Sequence, residues 1–167
     1  NHVKKFLPDH KKKVSTFIDK CMRLDIFDKH VEETERTIDC LVYTKKRRYD
    51  THFEEFRKNI VEGLTNRNIK FEEIVYGDYE KNDFLKKLLK TKLMLNLSLD
   101  ECPGILNYEA FYCNTHVIGS PHNVPSHYDS SLYVQNSDRM TERYLVREAT
   151  AANLYLEKVD WFFDNYI

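Results

Sequence analysis

Glycine and proline are scarce in this chain, four of each in 167 residues, while aromatic residues make up 13%. That balance excludes disorder as a description of the whole chain. Cysteine is no richer: Cys21, Cys40, Cys102 and Cys113 contain no Cys-x-x-Cys pair. Neither a zinc ribbon nor a small disulfide scaffold is indicated, and reduced thiols in a cytoplasmic protein are expected. Charge of one sign is also missing, since the formal net charge is -1, and a nucleic-acid binder would normally carry a strong basic excess. No apolar run approaches membrane-spanning length, and the first residues lack the apolar core of a signal peptide. A soluble chain without a membrane span is expected. Its first residue is Asn1 rather than methionine, which suggests a piece of something longer.

What is present is a normal apolar content in a length that suits one domain with its own core. Residues 1–36 are the least regular part, with Lys11-Lys12-Lys13 read as a solvated face and an amphipathic stretch through Phe17, Ile18 and Met22. Ile38 to Tyr43 is the first convincing strand, and it runs straight into Thr44-Lys45-Lys46-Arg47-Arg48. Thr51-x-x-Glu54 then offers a capping box, and Phe53, Phe56, Ile60 and Leu64 recur at helical spacing, closed by Asn66 and Asn68. A second unit has Ile69 to Tyr76 as strand, Gly77-Asp78-Tyr79 as turn and Phe84, Leu85, Leu88 and Leu89 as a helix stripe. A third strand is expected at Leu93 to Ser98 and a fourth at Thr115 to Gly119. A short strand is expected at Leu132-Tyr133-Val134, and helix from Thr141 onward. Asn96-Leu97-Ser98 matches a glycosylation acceptor formally, but it falls in an expected buried strand.

Strands alternating with helices in this way predict an α/β fold with a Rossmann-like, doubly wound parallel sheet. In such sheets ligands bind outside the carboxyl ends of the strands. The polar segments 44–48, 77–79, 98–104 and 120–123 all follow strand ends and should converge on one edge. Residues 37–140 form the expected core, and 141–167 a C-terminal helix lying on that core or on another domain.

The most informative stretch is Glu101-Cys102-Pro103-Gly104-Ile105-Leu106-Asn107-Tyr108-Glu109, a strand-to-helix turn with a carboxylate at each end. Pro103 and Gly104 mark the break. Gly104 lets a ligand approach the backbone, and the free amides opening the next helix favour an anion such as a diphosphate. Glu101 is placed to accept hydrogen bonds from sugar hydroxyls. Glu109, one turn into the helix, needs donors if buried, and a ribose diol would supply them. Lys45, Lys46 and Arg47 read equally as phosphate ligands or as a solvated loop of cations. Gly77, Asp78 and Tyr79 have the chemistry of an ordinary turn. His122, His127 and Asp129 fit no familiar zinc spacing, so no metal is expected. Cys102 has no His close in sequence and reads as a small packing residue.

The spacing E-x7-E, with Gly104 inside it and Ala110 after the second Glu, resembles the donor-site signature of retaining GT-B glycosyltransferases of the family-four type. Cys102 stands in place of that pattern's first Gly, Pro103 of its aromatic and Leu106 of its Pro. The resemblance spans roughly 38–125 and is strongest at Glu101 to Ala110 and His116 to Gly119. It implies the C-terminal half of such an enzyme, binding a UDP- or GDP-sugar and transferring a hexose to a carbohydrate acceptor, with no cofactor beyond the donor. It further implies that Glu101 holds the donor sugar, that Gly104 and Ile105 lend backbone amides and that Glu109 grips the ribose. By the same resemblance Lys45 and a neighbour clamp the diphosphate, while Gly77, Asp78 and Tyr79 lie near the base. Residues 1–36 become the tail of an interdomain linker, and an N-terminal domain supplies the acceptor side. The rival readings are a sugar-nucleotide epimerase of the same fold and a non-catalytic binding or interaction domain.

Overall fold

The computed structural model describes residues 35–45, 53–98, 105–119 and 149–165. The expected N-terminal segment up to residue 34, the strand at 132–134 and the start of the last helix at 141–148 lie outside them. The described residues form four strands, β1 (Ile38–Thr44), β2 (Phe71–Val75), β3 (Thr91–Asn96) and β4 (His116–Gly119). All pair in parallel, in the order β2-β1-β3-β4. Four helices accompany them: α1 (Phe53–Asn66), α2 (Lys81–Leu89), α3 (Ile105–Tyr112) and α4 (Ala149–Asn165). The fold is α/β, and its layers are compatible with a Rossmann-like arrangement.

The two central strands have near-continuous apolar sequences because both of their faces are covered. Cys40 and Val42 of β1 and Leu93 and Leu95 of β3 face one core, with Phe53, Phe56, Ile60 and Leu64 of α1 and Tyr155, Val159 and Phe162 of α4. Leu41, Tyr43 and Met94 face the other, with Phe84, Leu85 and Leu88 of α2 and Leu106 and Ala110 of α3. Helices therefore cover both sides. The reversal in strand order explains this: β1 to β2 steps one way, β2 to β3 returns across β1, and crossovers of a single hand must then change face.

Edge strand β2 carries its charges in partnership with both layers. Glu73 pairs with Arg57 of α1 at 2.6 Å, while Glu72 pairs with Lys87 of α2. The α4 helix buries Tyr155, Val159 and Phe162 and leaves Trp161 partly exposed. Among the described residues, no helix is long and apolar enough to cross a membrane.

Strand limits differ from the expected ones for identifiable reasons. β2 starts at Phe71 rather than Ile69 because the Ile69 amide returns to the Leu64 carbonyl at 3.1 Å and that of Asn68 to Thr65 at 3.0 Å. With Asn68 at φ 54, these bonds make a Schellman close to α1. Asn114, also at φ 54, closes α3 in the same way through bonds from Thr115 to Ala110 and from Asn114 to Phe111. β3 starts two residues earlier than expected, since Thr91 pairs with Ile38 and its buried hydroxyl donates to the Lys87 carbonyl at 2.7 Å. At the amino edge, Arg36 donates to the carbonyls of Thr91 and Cys113 and to Thr115 Oγ1, tying the entry to β1 to the far side of the sheet.

Candidate functional site at the carboxyl edge

Because all four strands are parallel, the segments leaving them start from one edge. The connection after β1 leads to α1 on one face and that after β3 leads to α3 on the other. Between β1 and β3 the order of connections reverses at this edge, and such a switch point is where a crevice takes ligands in open α/β sheets. Lys45 follows β1 at this edge, and Leu97 and Ser98 follow β3.

Of the residues expected to form the site, Lys46, Arg47, Glu101 and Gly104 lie outside the described residues, as do Cys102, His122, His127 and Asp129. Lys45 is half-buried, its ammonium 4.4 Å from the centre of the Tyr76 ring. Gly77 has φ 93, and the Asp78 amide donates back to Val75 at 3.1 Å. That is a type II turn, whose third position demands a glycine. Nothing lies within 4 Å of where a Gly77 side chain would point, so the backbone conformation rather than packing requires this glycine. Asp78 is exposed. Tyr79 turns inward and stacks on Phe84 with ring centres 5.0 Å apart, whereas Tyr76 is the exposed aromatic of the turn. Ile105 opens α3, with the amides of its first turn facing the edge.

Glu109 is buried, at 6% exposure. Its donor is a residue the sequence did not single out: Lys81 Nζ, from the first position of α2, reaches Glu109 Oε2 at 2.5 Å. The Lys81 side chain is about half exposed, so the pair joins the core between α2 and α3 to solvent. The same ammonium lies 5.3 Å from the centre of the Phe84 ring.

A second polar group sits at the end of β3. Asn96, the last residue of β3, is fully buried; its Nδ2 donates to Asn107 Oδ1 at 2.9 Å and its Oδ1 accepts the Ser98 amide at 3.0 Å. Asn96 thus terminates the strand and ties Ser98 to α3. With both ends of its amide engaged in the interior, it is no glycan acceptor. The sequence carried a trace of this network, since Asn96 and Ser98 interrupt an apolar run at alternate positions. Lys81 left no local trace, because its partner lies 28 residues away.

Among the described residues, no group of three His, Cys, Asp or Glu side chains is arranged to hold a metal. The buried thiols Cys40 and Cys113 lie in the two cores, away from the crevice. No family model matches the chain, and no curated protein and no solved structure matches it either.

Proposed function

We propose that this chain is the donor-binding domain of a retaining GT-B glycosyltransferase, with a Rossmann-like sheet that takes a UDP- or GDP-sugar at the crevice between β1 and β3. The observation that carries the reading is the all-parallel order β2-β1-β3-β4, which reverses between β1 and β3, so that Lys45 after β1 and Leu97 after β3 leave the sheet at one edge. In this reading Lys45, with Lys46 or Arg47, offsets the diphosphate charge that grows as the sugar leaves. Gly104 and Ile105 lend backbone amides to the same group. Glu101 holds the donor sugar, and Glu109, already paired with Lys81, receives the ribose. Gly77, Asp78 and Tyr79 flank the base. The enzyme works in the cytoplasm on a carbohydrate acceptor, and an N-terminal domain closes the other half of the cleft. Holding the acceptor hydroxyl against the anomeric carbon accounts for roughly 7–11 kcal/mol of barrier lowering in well-oriented systems. These residues alone therefore bind donor without transferring sugar.

Titration calorimetry with UDP and GDP tests the proposal directly. One of the two nucleotides should bind, and Glu109→Ala should weaken it by roughly two- to tenfold, as expected for a lost hydrogen bond to a carboxylate already shared with Lys81. Binding of neither nucleotide by the folded chain would reject the reading. Unchanged affinity in a folded Glu109→Ala variant would remove the ribose assignment alone.

A further inference from the structure

Tyr76 is the more exposed of the two large aromatic side chains that the described residues leave open to solvent, at 55%. Single exposed aromatics are common, so exposure alone assigns it nothing. Its attachment is more informative. The Tyr76 amide donates to the Thr44 carbonyl at 2.8 Å, which carries the ladder between β1 and β2 one bond past the pair Thr44 and Val75. Tyr76 is also the second residue of the turn that the Asp78 amide closes on Val75, with Gly77 at φ 93 after it. Its backbone is thus held by the end of β1 and by a tight turn at once, and the ring projects from an anchored point.

Register decides which side chain that ring meets. Tyr43 of β1 is paired with Ile74 of β2, and both line the core shared with α2 and α3. Two residues further along each strand, alternation sets Lys45 and Tyr76 on that same face as neighbours at the carboxyl edge. The Lys45 ammonium lies 4.4 Å from the centre of the Tyr76 ring, inside the reach of about 6 Å for a cation–π attraction. Tyr79, on the other side of Gly77, is engaged with Phe84 instead. The face of an aromatic ring attracts an ammonium without cancelling its charge, as a carboxylate would. Lys45 is therefore restrained by Tyr76 and stays a cation.

We infer that Tyr76 is a positioning residue for Lys45: its ring restrains the ammonium at the carboxyl edge, and this restraint strengthens the hold of the lysine on phosphate-bearing ligands. The inference rests on the role proposed above for Lys45 at the donor diphosphate. A lysine that closes on an anion gives up rotamer freedom, which opposes binding. One already held against a ring has given up part of it beforehand. Tyr76 thus acts on phosphate affinity through Lys45, without a contact of its own to the ligand.

The test measures calorimetric affinities of the full chain for inorganic pyrophosphate, UDP, GDP and uridine, in wild type, Tyr76→Leu, Tyr76→Phe, Lys45→Gln and the double variant Lys45→Gln/Tyr76→Leu. Tyr76→Leu should weaken pyrophosphate and whichever nucleotide binds by roughly two- to fivefold, the loss that corresponds to one cation–π contact at an exposed site, and leave uridine unchanged. Tyr76→Phe, which keeps the ring, should match wild type, and Tyr76→Leu should add no loss in the Lys45→Gln background. Pyrophosphate affinity that is unchanged or higher in Tyr76→Leu would overturn the inference, as would an equal loss with Lys45 already removed. A loss for uridine as large as that for UDP would mark a direct contact with the base and overturn it too. In each of these cases nucleotide binding itself leaves the donor-domain reading standing. Tyr76-dependent pyrophosphate binding without UDP or GDP binding would do the reverse, and a folded chain that binds none of the probes would defeat both.

Discussion

Replacing Gly63 with alanine sets two known effects against each other inside the interface between α1 and α4. Gly63 is a buried interior residue of α1, and a methyl group built there would come within 2.8 Å of Leu156 Cδ2 and 3.1 Å of Leu156 Cγ, nearer still to Cδ1. Comfortable carbon contacts lie at about 3.5–4.0 Å. The change gains about 0.8–1.0 kcal/mol of helix propensity. Overpacking a tight site costs about 1–3 kcal/mol. The net effect is a loss of up to about 2 kcal/mol, or roughly 2–4 °C of thermal midpoint per kcal/mol in a chain of this size. Leu156→Ala alone costs about 2–5 kcal/mol, because it empties part of the core. In that background Gly63→Ala changes sign. Its methyl enters vacated space, adding about 0.8 kcal/mol of burial to the propensity gain. Urea unfolding of the four proteins, followed by far-ultraviolet circular dichroism, should give a coupling of about 2–4 kcal/mol, at the upper end of the values for residues in contact. A Gly63→Ala effect of the same sign and size in both backgrounds would refute the packing of α4 on α1.

The remaining predictions concern groups at the two ends and in the core of the sheet. Burial, reinforced by the Arg36 cation, holds His116 below its ordinary value of 6.5. As pH falls below that value the unfolded chain takes up the proton before the folded one, so this contribution to stability is present at neutral pH and lost in mild acid. Urea midpoints at pH 7.5 and 5.5 should differ less in His116→Gln than in wild type, and Arg36→Gln should move the His116 titration upward by NMR while costing about 2–3 kcal/mol of stability from its lost carbonyl bonds. Burial also pushes the Cys113 thiol up to about 12 and raises Cys40. Peptides carrying these two cysteines should stay unmodified when the native chain meets iodoacetamide at pH 8, and rapid native labelling of either would contradict their placement.

Much of the fold was legible because its determinants are local. The stripe Phe53, Phe56, Ile60 and Leu64 is wholly buried, as is Phe84, Leu85, Leu88 and Leu89, and the apolar strands β1 and β3 are the covered centre of the sheet. Strand order and the face taken by each helix are not local properties. They follow from pairings such as Ile38 with Thr91, which only the chirality of crossovers connects to the sequence pattern. Site details divide along the same line. Gly77 was legible as a turn residue, yet which tyrosine beside it stays exposed depends on how the turn sets its flanks, and Tyr79 rather than Tyr76 packs on Phe84. A carboxylate at Glu109 was visible, but the lysine that answers it belongs to another helix.

In the proposed donor complex, that lysine changes how the second glutamate of the E-x7-E pattern would contribute to binding. A cation at the first position of a helix is opposed by the helix dipole, so from α2 Lys81 gains the face of Phe84 but not the dipole. The compensating partner is Glu109, whose buried charge Lys81 meets between α2 and α3. A ribose diol reaching Glu109 thus meets a carboxylate whose charge is already shared with an ammonium. Its bonds approach the neutral range of about 0.5–1.5 kcal/mol rather than the charged range of about 1.5–3 kcal/mol. The larger share of donor affinity would then fall to the phosphate side, where the proposal sets Lys45 and the opening of α3. On this division, the nucleoside is recognised weakly and the diphosphate strongly, with the paired Glu109 setting the spacing between helices α2 and α3 against which the ribose is placed.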